Sequence, residues 1–181
     1  FPDEILLISQ ALAFRQPSIE DASIICRLLN EAYKDEILGP EAFREEQPLV
    51  TEESILAMLE GQKAASFRWL CVEAPDGRGV EEDGAMLGVC CFTTDGVSKC
   101  NGEVEGHLGS IRYLGVMRKY RGVLIGQRLL SRVEKAMLTS GCMRSMVCVP
   151  STRETMMDWL ERRDYTWAGG MPYPAQGLLQ T

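Results

Sequence analysis

Near Val116 the apolar pattern of this chain changes its period, and that change narrows the folds it can adopt. Residues 108–116 (LGSIRYLGV) read as a strand, whereas from Val123 to Ser140 the residues Gly126, Leu129, Leu130, Val133 and Met137 recur at helical spacing. Gly141 stops that helix, and 143–149 (MRSMVCV) reads as a buried strand. Strand, helix, strand in that order is the crossover that joins parallel neighbours in one sheet.

The remaining elements surround this unit. Residues 11–15 form a short strand closed by Pro17, and Ser18 with Asp21 predicts a helix start. Behind it Ala22, Ile25, Cys26, Leu29, Ala32 and Tyr33 make one apolar helical stripe. Residues 34–50 read as a Glu-rich loop, and Thr51 caps a second helix, TEESILAMLE, ending at Gly61. Residues 66–73 and 85–93 pair as an antiparallel hairpin, followed by a polar segment over 94–107. A helix over 151–163 and a last strand over 165–169 complete the order β-α-α-β-β-β-α-β-α-β. The expectation is a single-domain α/β fold over residues 1–181, a mixed β-sheet flanked by helices, with 1–10 poorly ordered or separate.

Composition closes off several functions. The net charge of −7 argues against a general nucleic-acid binder, which gathers phosphates with surplus Lys and Arg. Seven cysteines, no C-x-x-C pair and the single histidine His107 exclude a Cys/His zinc set. Free thiols in a reducing compartment, hence a cytoplasmic location, are the expectation. No stretch approaches the ~20 apolar residues of a membrane span. FPDEILLISQ does not read as a signal peptide, and because the sequence opens on Phe1 an upstream segment is expected to be missing from it.

Chemistry concentrates in LGVMRKYRGVLIGQRLL, residues 114–130. A strand ends, a basic turn follows, and a helix begins among Gly122–Gly126, offering unpaired amides and the positive end of its dipole. With Arg118, Lys119 and Arg121 these amides would cradle a pyrophosphate. The plainer alternative is a tight corner punctuated by glycine.

These residues resemble the GNAT superfamily of acyl-CoA-dependent N-acyltransferases. Leu114-Gly115-Val116, Tyr120-Arg121-Gly122-Val123-Leu124-Ile125-Gly126 and Leu129-Leu130 follow its strand–turn–helix pattern. Asn30-Glu31-Ala32-Tyr33 and Arg153 followed by Trp159-Leu160-Glu161-Arg162-Arg163-Asp164-Tyr165 resemble further family segments. The resemblance implies acetyl-CoA, as co-substrate, lying between the splayed strands 108–116 and 143–149. Backbone of Leu114, Gly115 and Val116 would then hold the pantetheine and thioester, and amides of Arg121, Gly122, Val123, Leu124, Ile125 and Gly126 the pyrophosphate. A primary amine of a small molecule or peptide would attack the thioester directly, with neither nucleic acid nor membrane as partner and with a homodimer left open.

Leu124 stands where the family has glycine, either crowding the phosphates or pointing outward. Leu160 stands where the family has the tyrosine that protonates the departing thiolate, and together with Leu124 it leaves a CoA-binding sensor or scaffold as the alternative. Glu103, Glu105 and His107, just before the strand, are candidates for the base, with a solvated loop as the competing reading. Tyr113 would share a sheet face with Ile111, as a site residue or as core. Tyr165, Cys142 and Cys148 read as core. The acidic stretches 34–36, 41–46 and 80–84 would attract a cationic amine or simply keep the surface soluble, and the Gly- and Pro-rich tail would cover the cleft or trail.

Overall fold

The computed structural model describes residues 12–34, 49–61, 67–74, 86–100, 103–149 and 153–170. Five strands, β1 (Ala13–Arg15), β2 (Phe67–Glu73), β3 (Met86–Cys100), β4 (Glu103–Val116) and β5 (Cys142–Val147), form one sheet in that spatial order. Strands β1 to β4 are antiparallel neighbours, and β5 runs parallel to β4. Among the described residues four helices flank the sheet: α1 (Ala22–Lys34), α2 (Glu52–Glu60), α3 (Ile125–Thr139) and α4 (Glu154–Glu161). The mixed α/β architecture is the expected one, with α3 as the crossover. Among the described residues no helix is long and apolar enough to cross a membrane.

The two predicted helix starts are both present. The Ser18 N–H donates to Asp21 Oδ2 at 2.7 Å, closing a 3-10 turn over Ile19–Asp21 that runs into α1. Thr51 and Ser54 cap α2 reciprocally, with amide-to-hydroxyl bonds of 3.3 and 3.2 Å. Asp21 also takes both arms of the Arg15 fork, at 2.7 and 2.9 Å, while Arg15 Nε donates to Glu73 at 2.8 Å. One guanidinium therefore ties β1, β2 and the start of α1 together.

An extra residue in β4 decides which side chains face which helices. Cys91 pairs with Tyr113 and Phe92 pairs with Ile111, so Arg112 has no partner on β3 and forms a bulge. Cys91 and Phe92 are adjacent and so point to opposite faces, and their partners do the same. Ile111 and Gly109 thus face α3, where a Cβ on Gly109 would lie 2.5 Å from Met137 Sδ. Tyr113 and Gly115 face α1, where a Cβ on Gly115 would meet Leu28 and Leu29 at 2.9 and 3.0 Å. Ile25, Leu29 and Ile55 fill the α1–α2 side of the core, and Leu129, Leu130, Val133 and Met137 line the buried stripe of α3.

Four expectations are corrected. Tyr113 and Ile111 do not share a face, because alternation reverses at the Arg112 bulge. The segment 94–107 is mostly strand, since β3 and β4 extend into a long hairpin whose cross-strand pairing outweighs polar composition. Residues 165–170 run without ladder pairing, so the chain's last described segment is irregular where a strand over 165–169 was expected. Cys142 is buried as expected, but Cys148 lies past the end of β5 and is exposed. The readings of residues 1–10, 35–48, 80–84 and the tail after 170 fall outside the described residues.

The Arg15 guanidinium holds the Asp21 carboxyl below its ordinary value. A depressed folded-state pKa gives stability that is complete above the unfolded value, about 3.9, and is lost as pH falls through the folded value. Urea denaturation should therefore find Asp21→Asn less stable by about 1 kcal/mol at pH 7, a gap that closes toward pH 3. A gap that stays constant with pH would contradict this role for Asp21.

Candidate active site

The ladder between β4 and β5 runs from His107–Cys142 to Ile111–Val147 and stops there. Beyond Ile111 the last five residues of β4 continue beside β3 alone, which opens a notch on the β5 side. In an antiparallel strand successive amides point to alternate sides. The Met117 N–H donates to Leu87 O of β3 at 3.0 Å, and the Leu114 N–H donates instead to the Tyr33 hydroxyl of α1, at 3.4 Å. Tyr33 is buried, and Arg153, itself only 6% exposed, places its guanidinium 4.1 Å from the centre of the tyrosine ring. Burial pushes the Tyr33 hydroxyl above its ordinary pKa, against the opposing pull of the Arg153 charge.

Past Val116 the chain turns through Arg118–Tyr120 into α3. Tyr120 and Arg121 spend their amides inside the turn, donating to Met117 O and Arg118 O at 2.9 and 3.2 Å. Gly122 has φ +82°, and a Cβ there would meet nothing within 4 Å. Leu124 also takes the left-handed conformation, φ 66° and ψ 1°, with its side chain 56% exposed. This conformation is the one glycine adopts without cost, which accounts for the glycine the sequence pattern leads one to expect here. The first full turn of α3 closes with Arg128 N–H on Leu124 O at 2.9 Å. The amides of Ile125, Gly126 and Gln127, one turn earlier, have no carbonyl within the helix to bond.

The side chain of Arg121 does different work from that expected. Its Nη2 donates to Ala32 O at 2.6 Å and its Nε to Val116 O at 3.3 Å. The guanidinium thus satisfies an orphan carbonyl in the last turn of α1 and ties that helix to the end of β4. Asn30, one turn before Tyr33, binds both backbone groups of Val50, at 2.9 and 3.2 Å, and so fixes α1 against the start of α2. Trp159 of α4 covers the first turn of α3, where a Cβ on Gly126 would lie 3.8 Å from its ring. Arg163 stacks on that indole at 3.9 Å and donates to Gln127 Oε1 at 3.0 Å.

The structure brings together Leu114, Gly115, Val116 and the turn Arg121–Gly126, which form one continuous path from notch to helix start. It does not bring the expected proton-handling residues to that path. His107 is exposed and sits seven residues before Leu114, about 23 Å along an extended strand. Glu105 lies two residues farther away still, and its side chain is outside what is described. Tyr113 is buried on the α1 face, stacked on Trp69 with ring centroids 6.2 Å apart. Leu160 is buried, and Tyr165 donates to Glu134 Oε1 at 2.8 Å while accepting from Ser145 at 3.1 Å. The residues that sequence reading left out of the site are Tyr33 and Arg153. Tyr33 falls on the apolar stripe of α1, where its ring explains its position and hides the reach of its hydroxyl.

Comparison with known proteins bears on the family and the fold. Residues 29–165 match the family described as the acetyltransferase (GNAT) family. The fold is shared with a tetramutant of the BH1408 protein from Bacillus halodurans, at TM-score 0.69 and 16% identity over 90% of this chain and 99% of that one. It is also shared with a PaiA N-acetyltransferase from Thermoplasma acidophilum in complex with coenzyme A, at TM-score 0.63 and 18% identity over 84% and 88% of the two chains. An aminoglycoside acetyltransferase from an uncultured soil metagenomic sample, in complex with sisomicin, matches at TM-score 0.61 and 13% identity over 95% and 99%.

Because Leu124 is strained and exposed, its replacements should rank by backbone preference and not by burial. Leu124→Val should cost about 1 kcal/mol or more, since β-branched residues tolerate positive φ least, whereas Leu124→Gly should leave stability unchanged or raise it by up to about 1 kcal/mol. Thermal unfolding of the two variants measures this, and a destabilised Leu124→Gly beside an unaffected Leu124→Val would contradict it.

Proposed function

The chain belongs to the acetyltransferase (GNAT) family, and on that premise we propose that it transfers an acetyl group from acetyl-CoA to a primary amine of a small molecule or peptide. The observation that carries the proposal is the notch past Ile111, continuous with the open amides at the start of α3. The residues fit an acyl-CoA on three counts. Gly122 leaves open space where a side chain would stand, Gly126 would bring a Cβ only into ordinary contact, and Leu124 turns its side chain to the exterior. Amides of Gly122 through Gly126 would hold the pyrophosphate, with the backbone of Leu114, Gly115 and Val116 holding the pantetheine and the thioester. Bound acetyl-CoA supplies an activated acyl group, and no protein nucleophile is required.

The protein's own contribution is orientation and electrostatics. The notch aligns the acyl group along β4, and the dipole of α3 with Arg118 and Lys119 favours an anion at its start. The buried thiols Cys71, Cys90 and Cys91 offer no competing route, because burial raises Cys90 and Cys91 well above the ordinary thiol range and lifts Cys71 to about 11. The described cysteines are free, which supports a reducing, cytoplasmic setting. Direct proton transfer to Glu105 or His107 is not supported by their distance, so the amine is best read as losing its proton to solvent. The sensor reading rests on one observation, the buried Leu160 in place of a proton donor. It is the weaker reading, because a thiolate of solution pKa about 8.5 leaves without an acid.

Calorimetric titration with acetyl-CoA, CoA and ATP should give clear binding of the first two and much weaker binding of ATP. Free-thiol release over a panel of primary amines should then rise with at least one amine above the rate without amine. Equal binding of ATP, or none of acetyl-CoA, would overturn the proposal, and binding without release for any amine would favour the sensor.

A further inference from the structure

Leu114 and Tyr33 form a pair that the family's general chemistry does not require. The Leu114 amide faces the notch, and in this structure its partner is a side-chain oxygen of α1 and not a strand. At 3.4 Å the bond is at the long end of the useful range. Two donors so separated can both reach one oxygen placed about 2.9 Å from each. A carbonyl oxygen in the notch could then take the Leu114 N–H and the Tyr33 O–H together, the hydroxyl turning from acceptor to donor. Arg153 adds a buried positive charge above the same ring.

We propose that the Tyr33 hydroxyl is a catalytic residue of this chain, acting with the Leu114 amide as a two-donor oxyanion site for the acyl carbonyl. The assignment rests on the acetyltransfer reading and deepens it. As the amine nitrogen bonds to the carbonyl carbon, the π pair moves onto oxygen and both donors tighten on it. The pair then returns, the C–S bond breaks, the thiolate leaves, and the amine's proton passes to solvent water. Donation fits Tyr33 better than acid catalysis does. Its proton is held firmly by burial, which suits a hydrogen-bond donor and not an acid that must release it at neutral pH. Arg153 acts through Tyr33, by its charge over the ring and its hydrogen bond to the hydroxyl oxygen, and so is a positioning residue, not a catalytic one.

The test is isotope-edited infrared spectroscopy of acetyl-CoA labelled with carbon-13 at the carbonyl, bound to the full chain and to Tyr33→Phe. The carbonyl band should lie at lower wavenumber in the unaltered chain, with CoA affinity changed less than about twofold, since free CoA lacks the carbonyl. With an accepted amine, kcat should fall about 10²-fold in Tyr33→Phe while KM changes little. 3-Fluorotyrosine at position 33, a stronger donor of nearly the same shape, should move the band farther down and keeps the test decisive if the phenylalanine variant folds poorly. A band that stays in place across these variants would overturn the donor role and leave the acetyltransfer reading intact. Failure of the unaltered chain to bind acetyl-CoA would remove the acetyltransfer reading, and the donor role with it.

Discussion

One unpaired residue in β4 governs the geometry of the site. Arg112 is inserted between Ile111 and Tyr113 without a partner on β3, and alternation reverses there. Bulges bend a strand and increase its twist. The parallel ladder with β5 ends at the same place, at Ile111. Beyond it β4 has no strand partner on the β5 side, where the Leu114 amide bonds Tyr33, and presents Gly115 to α1 on one face. A larger residue at 115 would press on the ends of the Leu28 and Leu29 side chains, on the helix that bears Tyr33.

Around this departure the protein spends its polar side chains on holding elements together. Arg121 bridges Ala32 and Val116, Asn30 holds Val50, and Arg15 binds Asp21 and Glu73. Arg112 lies over the Phe67 ring, 4.7 Å from its centre, beside the bulge. Arg121–Ala32, Asn30–Val50, Arg15–Glu73 and Arg112–Phe67 cross between elements distant in sequence. Together they fix α1 against β4, so that the Tyr33 hydroxyl and the Leu114 amide keep their separation. Preorganised donors need no rearrangement when charge develops, and that is where such a rigid frame serves catalysis.

Much of this was legible in the sequence where local rules apply. Ser18 with Asp21 and Thr51 with Ser54 start helices by short-range hydrogen bonds, and periodicity alone marks α3 and its buried stripe. The glycine-punctuated turn at 121–126 was readable as a helix start. What escaped depends on contacts between distant segments. The Arg112 bulge is an offset between two strands, and nothing in LGSIRYLGV records which residue is extra. Arg121 in a basic turn looks like a phosphate ligand until α1 arrives with a carbonyl for it. Polar EVEGH, residues 103–107, reads as a loop because its strand pairing comes from β3.

The central claim is that the notch past Ile111 and the first amides of α3 grip one extended acyl-CoA. Amide chemical shifts during titration of the labelled chain with acetyl-CoA test it most directly. The account predicts that the largest changes fall on Leu114, Val116 and Gly122 through Gln127, with Ala13–Arg15 and the far end of β4 near His107 unaffected. Changes centred elsewhere on the sheet, or none at saturating acetyl-CoA, would contradict it.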